Sequence, residues 1–164
     1  MGSEYTQLYE SPIGLMEIKA TVEGIVSVLY INEKYDADFV TNDIISSCIA
    51  QFDDYFAGKL QEFSINVIPS GTPFQLSVWK ELVNIPFGET ISYIELAERL
   101  NNPKSVRAVG GANGKNPINI IVPCHRVIGK NGTLTGYGGG LWRKEWLLEH
   151  ELKYSKGEKQ LGIF

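Results

Sequence analysis

The chain has 164 residues, 43% of them apolar, which supports one ordinary domain or two small ones around a packed core. Two distant cysteines and two histidines exclude a disulfide framework and a histidine-rich metal site, and they fit a reducing compartment. With no long apolar span and no signal-peptide pattern, a cytoplasmic protein without a membrane partner is expected. The net charge of −4 is divided unevenly. Residues 1–70 hold 3 Lys+Arg against 11 Asp+Glu, whereas residues 71–164 hold 12 against 8. The second half is therefore the candidate for a polyanionic partner, although so small an excess of positive charge is also an ordinary solvated surface.

Residues 5–10 predict a short strand and Ser11-Pro12-Ile13-Gly14 a turn. Met16, Ile18 and Ala20 alternate with Glu17 and Lys19, the pattern of a half-buried strand over 15–21. Val22-Glu23-Gly24 turns the chain into residues 25–31, whose continuous apolar, β-branched character marks a central strand. A helix is predicted over 43–56, with Ile44, Ile45, Cys48, Ile49, Phe52 and Phe56 on one stripe. Cys48 on that stripe reads as core packing. Residues 62–68 are a candidate further strand. The first half is a small α+β sheet domain without evident chemistry.

Pro69-Ser70-Gly71-Thr72-Pro73 breaks the pattern and places a domain boundary, giving domains 1–70 and 71–164. Thr72 as N-cap and Pro73 at the first helical position start a helix that ends before Pro86, with Phe74, Val78 and Leu82 at four-residue spacing. Ser92 caps a second helix over 93–100, with Glu95 completing a capping box. Asn101-Asn102-Pro103 stops it, and Ser105 caps a third helix over 106–113. Two short helices joined by a tight polar turn match a helix-turn-helix, and equally an ordinary helical pair. Gly110-Gly111 inside the third helix costs roughly 1 kcal/mol per glycine relative to alanine, which suits a site where another backbone must come close. Arg107 lies one turn before the pair. Further on, Gly129-Lys130-Asn131-Gly132 is a hairpin-like turn, and residues 136–140 form a glycine loop around Tyr137, suited to a lid or to backbone donors. The last helix is predicted over 141–152, with Leu141, Leu148 and Leu152 as its apolar face. Glu151 at the edge of that face is either partnered or solvated. Residues 153–164 read as a loosely held polar tail.

The chemistry concentrates in Pro123-Cys124-His125-Arg126-Val127. A nucleophilic cysteine acts as thiolate, and with an ordinary pKa of about 8.5 it needs a base at neutral pH. His125 is the neighbouring base. On a strand, however, adjacent side chains point to opposite faces, so the pair cooperates only across a turn or through a bridging water. A packed core thiol is the competing reading of Cys124.

Taken with Asn116-Pro117, Ser92-Tyr93, the 102–111 segment, Tyr137-Gly138-Gly139-Gly140-Leu141 and Lys144-Glu145-Trp146-Leu147-Leu148, this pentapeptide resembles the O6-alkylguanine-DNA alkyltransferases over about residues 72–152. The resemblance implies an α+β protein: a small ribonuclease-H-like sheet domain without catalytic function, then a winged helix-turn-helix-like domain. It implies direct, single-turnover transfer of an alkyl group from O6-alkylguanine, and from O4-alkylthymine, in double-stranded DNA to Cys124. His125 would be the base through a water, Glu151 would orient the imidazole, and Asn116 would hold the turn. Tyr93 and the Gly138 N–H would donate to the leaving base, Tyr137 would line the pocket, and the carbonyls of Cys124 and Val127 would read the exocyclic amine. Arg107, Ala108, Gly110 and Gly111 would lie against the minor groove, with Arg107 replacing a flipped-out nucleotide. No cofactor, no metal and a monomer are implied. Asn113 and Asn119 stand where mammalian members carry methionine and proline beside the alkyl pocket, and Gly138 stands where many members have serine. A cysteine hydrolase with a Cys-His-Glu triad is the alternative enzyme. Two non-enzymatic DNA-binding proteins are the alternative binders: a lesion sensor, against which the presence of Cys124 speaks, and a transcriptional regulator, against which speaks an acidic first half that offers no second acceptor motif.

Overall fold

The computed structural model describes residues 3–161. Its contacts define two compact units: the residues up to 70 together with 117–119, and residues 71–116 together with those from 120 onward.

In the first unit, β1 (Tyr5–Ser11), β2 (Gly14–Ala20) and β3 (Ile25–Tyr30) form an antiparallel meander in that order. Ser11 faces Gly14 across a two-residue turn, and Gly14 takes φ 118°, a region that favours glycine. Met16, Ile18 and Ala20 are fully buried while Glu17 and Lys19 are half-buried, so the alternation seen in the sequence sets which face of β2 meets the core. Helix α1 (Asp43–Phe56) is capped by Asn42, whose side chain accepts the Ile45 N–H at 2.9 Å. It packs on β1 and β2 through Ile45, Cys48, Phe52 and Tyr55, and Tyr9 stacks on Phe52 with ring centroids 5.6 Å apart. Ile44, Ile49 and Phe56 flank this stripe and are half-buried. Cys48 is the core thiol expected from its place on the helix.

The candidate strand at 62–68 is not formed. Only Val67 makes a parallel bridge, to Ile25, held by Ile25 N–H on Asn66 O (2.9 Å) and Ile68 N–H on Ile25 O (2.8 Å). Pro69 then has no N–H to continue a ladder. Residues 117–119 return to the same edge: Ile118 bridges Val28 in parallel, and the Asn119 backbone N–H and side-chain amide both donate to Val28 O, at 3.1 and 2.8 Å.

The second unit holds α2 (Pro73–Leu82), β4 (Ile91–Ser92), α3 (Tyr93–Arg99), α4 (Val106–Gly114), β5 (Val127–Ile128) and α5 (Leu141–Leu161). A reciprocal capping box starts α2: Gln75 N–H bonds Thr72 Oγ1 at 3.1 Å, and Thr72 N–H bonds Gln75 Oε1 at 3.0 Å. At Ser92 only half of the expected box forms, because the Glu95 carboxylate pairs with Arg99 at 2.7 Å instead. Ser105 is N-cap by position but its hydroxyl donates to Asn102 O. The α3–turn–α4 pair is the helix-turn-helix, with Asn101 at φ 58° absorbing the reversal. Trp79 Nε1 ties α2 to the Ala112 carbonyl of α4 at 2.8 Å. β4 and β5 form a two-residue parallel ladder below it.

Helix α5 is nine residues longer than expected, running to Leu161. Its Lys- and Glu-rich continuation contains good helix formers and no proline. The last three residues of the expected tail, 162–164, lie outside the described residues. The predicted apolar face is also corrected: Leu141 and Leu152 are exposed, and the buried stripe is Lys144, Leu147, His150 and Glu151. Among the described residues, no helix is long and apolar enough to cross a membrane, and no group of three His, Cys, Asp or Glu could hold a metal ion.

Candidate active site

Pro123 determines the local geometry. Its φ of −83° and ψ of 64° make an inverse γ-turn, with Cys124 N–H on Val122 O at 2.8 Å. The chain then enters a 3-10 turn over Cys124–Arg126, closed by the Val127 N–H on Cys124 O. Cys124, His125 and Arg126 are therefore on a turn, not a strand, and all three are buried. The strand rule that separates neighbouring side chains does not apply to them.

His125 Nε2 lies 2.7 Å from Glu151 Oε2. Arg126 grips the same carboxylate with two bonds, Nε to Oε1 at 2.7 Å and Nη2 to Oε2 at 3.0 Å, and its Nη1 donates to Ile85 O at 2.7 Å. Glu151 thus sits on the buried stripe of α5 with two partners, which settles the choice between partnered and solvated. Burial alone pushes its carboxyl up, but His125 and the Arg126 guanidinium outweigh this and hold it well below the usual carboxylate range. Burial pulls His125 down, against the attraction of Glu151, so the imidazole is neutral in the resting protein. An imidazole donating from Nε2 presents the Nδ1 lone pair as its base, and Nδ1 is buried without a hydrogen-bond partner among the described residues.

Burial raises the Cys124 thiol to about 11, while a hydrogen bond from Asn116 and the charge of Lys144 pull it down. Cys48 is pushed up to about 12 by burial and has no such opposing groups. Cys124 thus differs from Cys48 in having groups beside it that favour its thiolate, although burial outweighs them in the resting protein. Asn116 also donates from Nδ2 to Val122 O at 2.8 Å, bracing the γ-turn. Ile120, four residues before Cys124, has φ 72°, a conformation that costs a β-branched residue about 1–3 kcal/mol. Asn113, at the end of α4, donates from Nδ2 to the Cys124 carbonyl at 3.3 Å.

Tyr93 and Lys144 meet at a single acceptor. The Tyr93 hydroxyl and the Lys144 ammonium both donate to Thr135 O, at 3.2 and 2.6 Å, and the ammonium lies 5.8 Å from the Tyr93 ring centroid. Lys144 is fully buried, and burial lowers its pKa to about 8. The adjoining loop turns at Gly136 (φ 49°) and Gly140 (φ 94°), buries Tyr137 and leaves Gly138 exposed. A Cβ at Gly138 would meet nothing nearer than Gly114 O at 3.8 Å, so the loop has room for the serine of other members. Arg143 Nη1 secures the loop through Gly139 O at 2.7 Å.

Arg107, Ala108 and Gly111 are exposed on α4, and Gly110 faces the Tyr93 ring. Arg107 is six residues before Asn113, about 9 Å along the helix axis at 1.5 Å per residue. Helix α4 therefore connects an exposed arginine at one end to the Cys124 carbonyl at the other. Val127 lies buried in β5, directly after the turn. Arg126 and Lys144 stand within the sequence motifs, but nothing in those motifs gives either a role. The signal for Lys144 is its spacing to Leu147 and Glu151, which puts all three on one helical face. Nothing in the sequence points to the Thr135 carbonyl.

Fold and site together define a class: a buried cysteine on a proline-set turn, followed by a buried His-Glu-Arg chain, in the unit that holds a helix-turn-helix. Residues 5–69 match the family model described as the 6-O-methylguanine DNA methyltransferase ribonuclease-like domain, and residues 73–153 that of the DNA binding domain of the same family. A methylated-DNA–protein-cysteine methyltransferase of Methanosarcina mazei is 47% identical over 152 residues, covering 90% of this chain and 96% of the relative. The crystal structure of the Mycobacterium tuberculosis O6-methylguanine methyltransferase superposes with a TM-score of 0.83 at 42% identity, covering 93% of this chain and 94% of that one. A second M. tuberculosis structure, of the protein in complex with DNA, also gives 0.83, at 43% identity over 91% and 93%. The chain belongs to the 6-O-methylguanine DNA methyltransferase family.

Proposed function

We propose that the protein repairs DNA by transferring the alkyl group of O6-alkylguanine, and of O4-alkylthymine, to Cys124, once per molecule and without a cofactor. The observation that carries this reading is the buried chain of Cys124, His125 and Glu151 on a proline-set turn next to a helix-turn-helix. The thiol gives its proton through a bridging water to His125 Nδ1, and Glu151, kept ionised by Arg126, stabilises the imidazolium. The Cys124 thiolate, supported by Asn116 and Lys144, attacks the alkyl carbon in line. A carbon–sulfur bond forms, the carbon–O6 bond breaks, and its electron pair leaves with the purine. Tyr93 and the Gly138 N–H offer hydrogen bonds to the charge that develops there, the Tyr93 hydroxyl exchanging Thr135 O for the base. Tyr137 forms a wall of the pocket and Val127 O reads the base edge. No group in the site is suited to cleaving the resulting thioether, so the alkylated protein is spent.

The lesion's O6 is inaccessible in stacked DNA, so the nucleotide is extruded. Helix α4 lies in the minor groove with Ala108, Gly110 and Gly111 against the backbone, and Arg107 takes the vacated place in the stack. The test is a mass measurement after incubation with an oligonucleotide carrying O6-methylguanine. The protein gains one CH2 unit in a single stoichiometric event, and Cys124→Ser gains none. Repeated turnover would point instead to the cysteine hydrolase.

A further inference from the structure

The Cys124 carbonyl is one of the two groups, with the Val127 carbonyl, expected to read the exocyclic amine of the lesion, and in this chain it already accepts two hydrogen bonds. A carbonyl oxygen has two lone pairs. One receives the Val127 N–H that closes the 3-10 turn, and the other receives Asn113 Nδ2 at 3.3 Å. Asn113 is itself only 2% exposed. Its Oδ1 is buried and makes no hydrogen bond among the described residues. The amide orientation is settled by the carbonyl, since the reversed amide would set Oδ1 against the lone pairs of Cys124 O. The outcome is a buried acceptor, separated from the Cys124 carbonyl only by its own amide, with nothing to accept from.

We propose that Asn113 is a specificity-determining residue that takes over the Cys124 carbonyl and presents Oδ1 in its place to the 2-amino group of a purine lesion. This rests on the alkyl-transfer reading above and deepens it. Oδ1 accepts only, so its complement must be a donor. The base of O6-methylguanine carries one donor group, the 2-amino; its ring nitrogens N1, N3 and N7 and its O6 all accept. A 2-aminopurine therefore satisfies Asn113 on entering the site, while a base lacking that amine leaves Oδ1 unpaired, the costly half of hydrogen-bond energetics.

The deciding experiment is a crystal structure of Cys124→Ser, with Cys124→Ala as the second variant, bound to a duplex carrying O6-methylguanine. Asn113 Oδ1 within hydrogen-bond distance of the purine 2-amino nitrogen, with Nδ2 still on the carbonyl of residue 124, is the expected result. A 2-amino group bonded to that carbonyl with Asn113 turned away, or an Oδ1 without contact to the base, overturns the inference. Transfer by the wild-type protein is measured separately on the same oligonucleotide. Absence of transfer is a failure of the proposed function, whereas transfer combined with a misplaced amine is a failure of the Asn113 assignment alone.

Discussion

Arg126 grips both oxygens of Glu151, so the carboxylate bonded to His125 is held ionised and in one rotamer. Its burial and that of His125 make the site a source of pH-dependent stability. His125 has its pKa lowered by burial from 6.5 in the folded protein. The unfolded chain therefore binds the extra proton first as pH falls, and stability rises with pH through the window below that value. The predicted result is a fall in denaturant midpoint on acidification from pH 7 to 5, a fall that is absent or much reduced in His125→Gln. Glu151 adds to the loss only at lower pH, because its folded pKa is depressed: its contribution is present above the ordinary carboxylate value and disappears as pH falls toward the folded one. At neutral pH the same His125→Gln variant should slow alkyl transfer by about a hundredfold, the usual share of a general base. Equal acid sensitivity in both proteins would show that the imidazole is not held neutral by burial.

The packing of helix α4 within its own unit does not require its glycine pair. A Cβ at Gly111 would meet no atom within 4 Å, and one at Gly110 only the Tyr93 ring at 3.7 Å. Gly111→Ala should therefore stabilise the helix by about 1 kcal/mol, read as a higher melting temperature. It should also weaken binding to duplex DNA if α4 lies against a sugar–phosphate backbone. A variant that gains stability and binds DNA as before would remove the reason offered for the glycine pair. The elements nearest the nucleophile were the least legible in sequence. Pro123 announces a break and the resemblance implies a turn held by Asn116, but the γ-turn and 3-10 form of that turn follow from no local pattern. Ile120 at positive φ follows from no propensity; the Asn119 bonds to Val28 and the Asn116 bond to Val122 hold the chain on either side of it. On α5, the apolar pattern pointed to the wrong face, because Lys144 and Glu151 are buried for their partners rather than for their hydrophobicity.

At the scale of the whole molecule, the acidic charge is concentrated in residues 1–70 and the basic excess in the unit that carries α4 and Cys124. A net-acidic protein can bind a polyanion when its charges are segregated in this way, with an affinity that falls as salt rises. Arg107 should matter only for this step. Arg107→Ala should slow transfer from duplex DNA about ten- to a hundredfold more than transfer from free O6-alkylguanine base, since only the duplex has to lose a stacked nucleotide worth a few kcal/mol. Equal losses on the two substrates would place Arg107 in the chemistry rather than in the duplex.

Sequence alone determined the strand alternation, the extent of α1, the helix starts at Thr72 and Ser92, the glycine-marked helix and the Pro-Cys-His-Arg-Val motif. These are set by local periodicity, capping and turn chemistry within a few residues of each other. Only the tertiary structure decided that Arg126 and His125 share Glu151, that Lys144 is buried beside Tyr93 and that Asn113 closes the Cys124 carbonyl. Each of these is a polar contact between residues distant in sequence. Such contacts leave no periodic trace, because burial of a charge is decided by the partner that neutralises it.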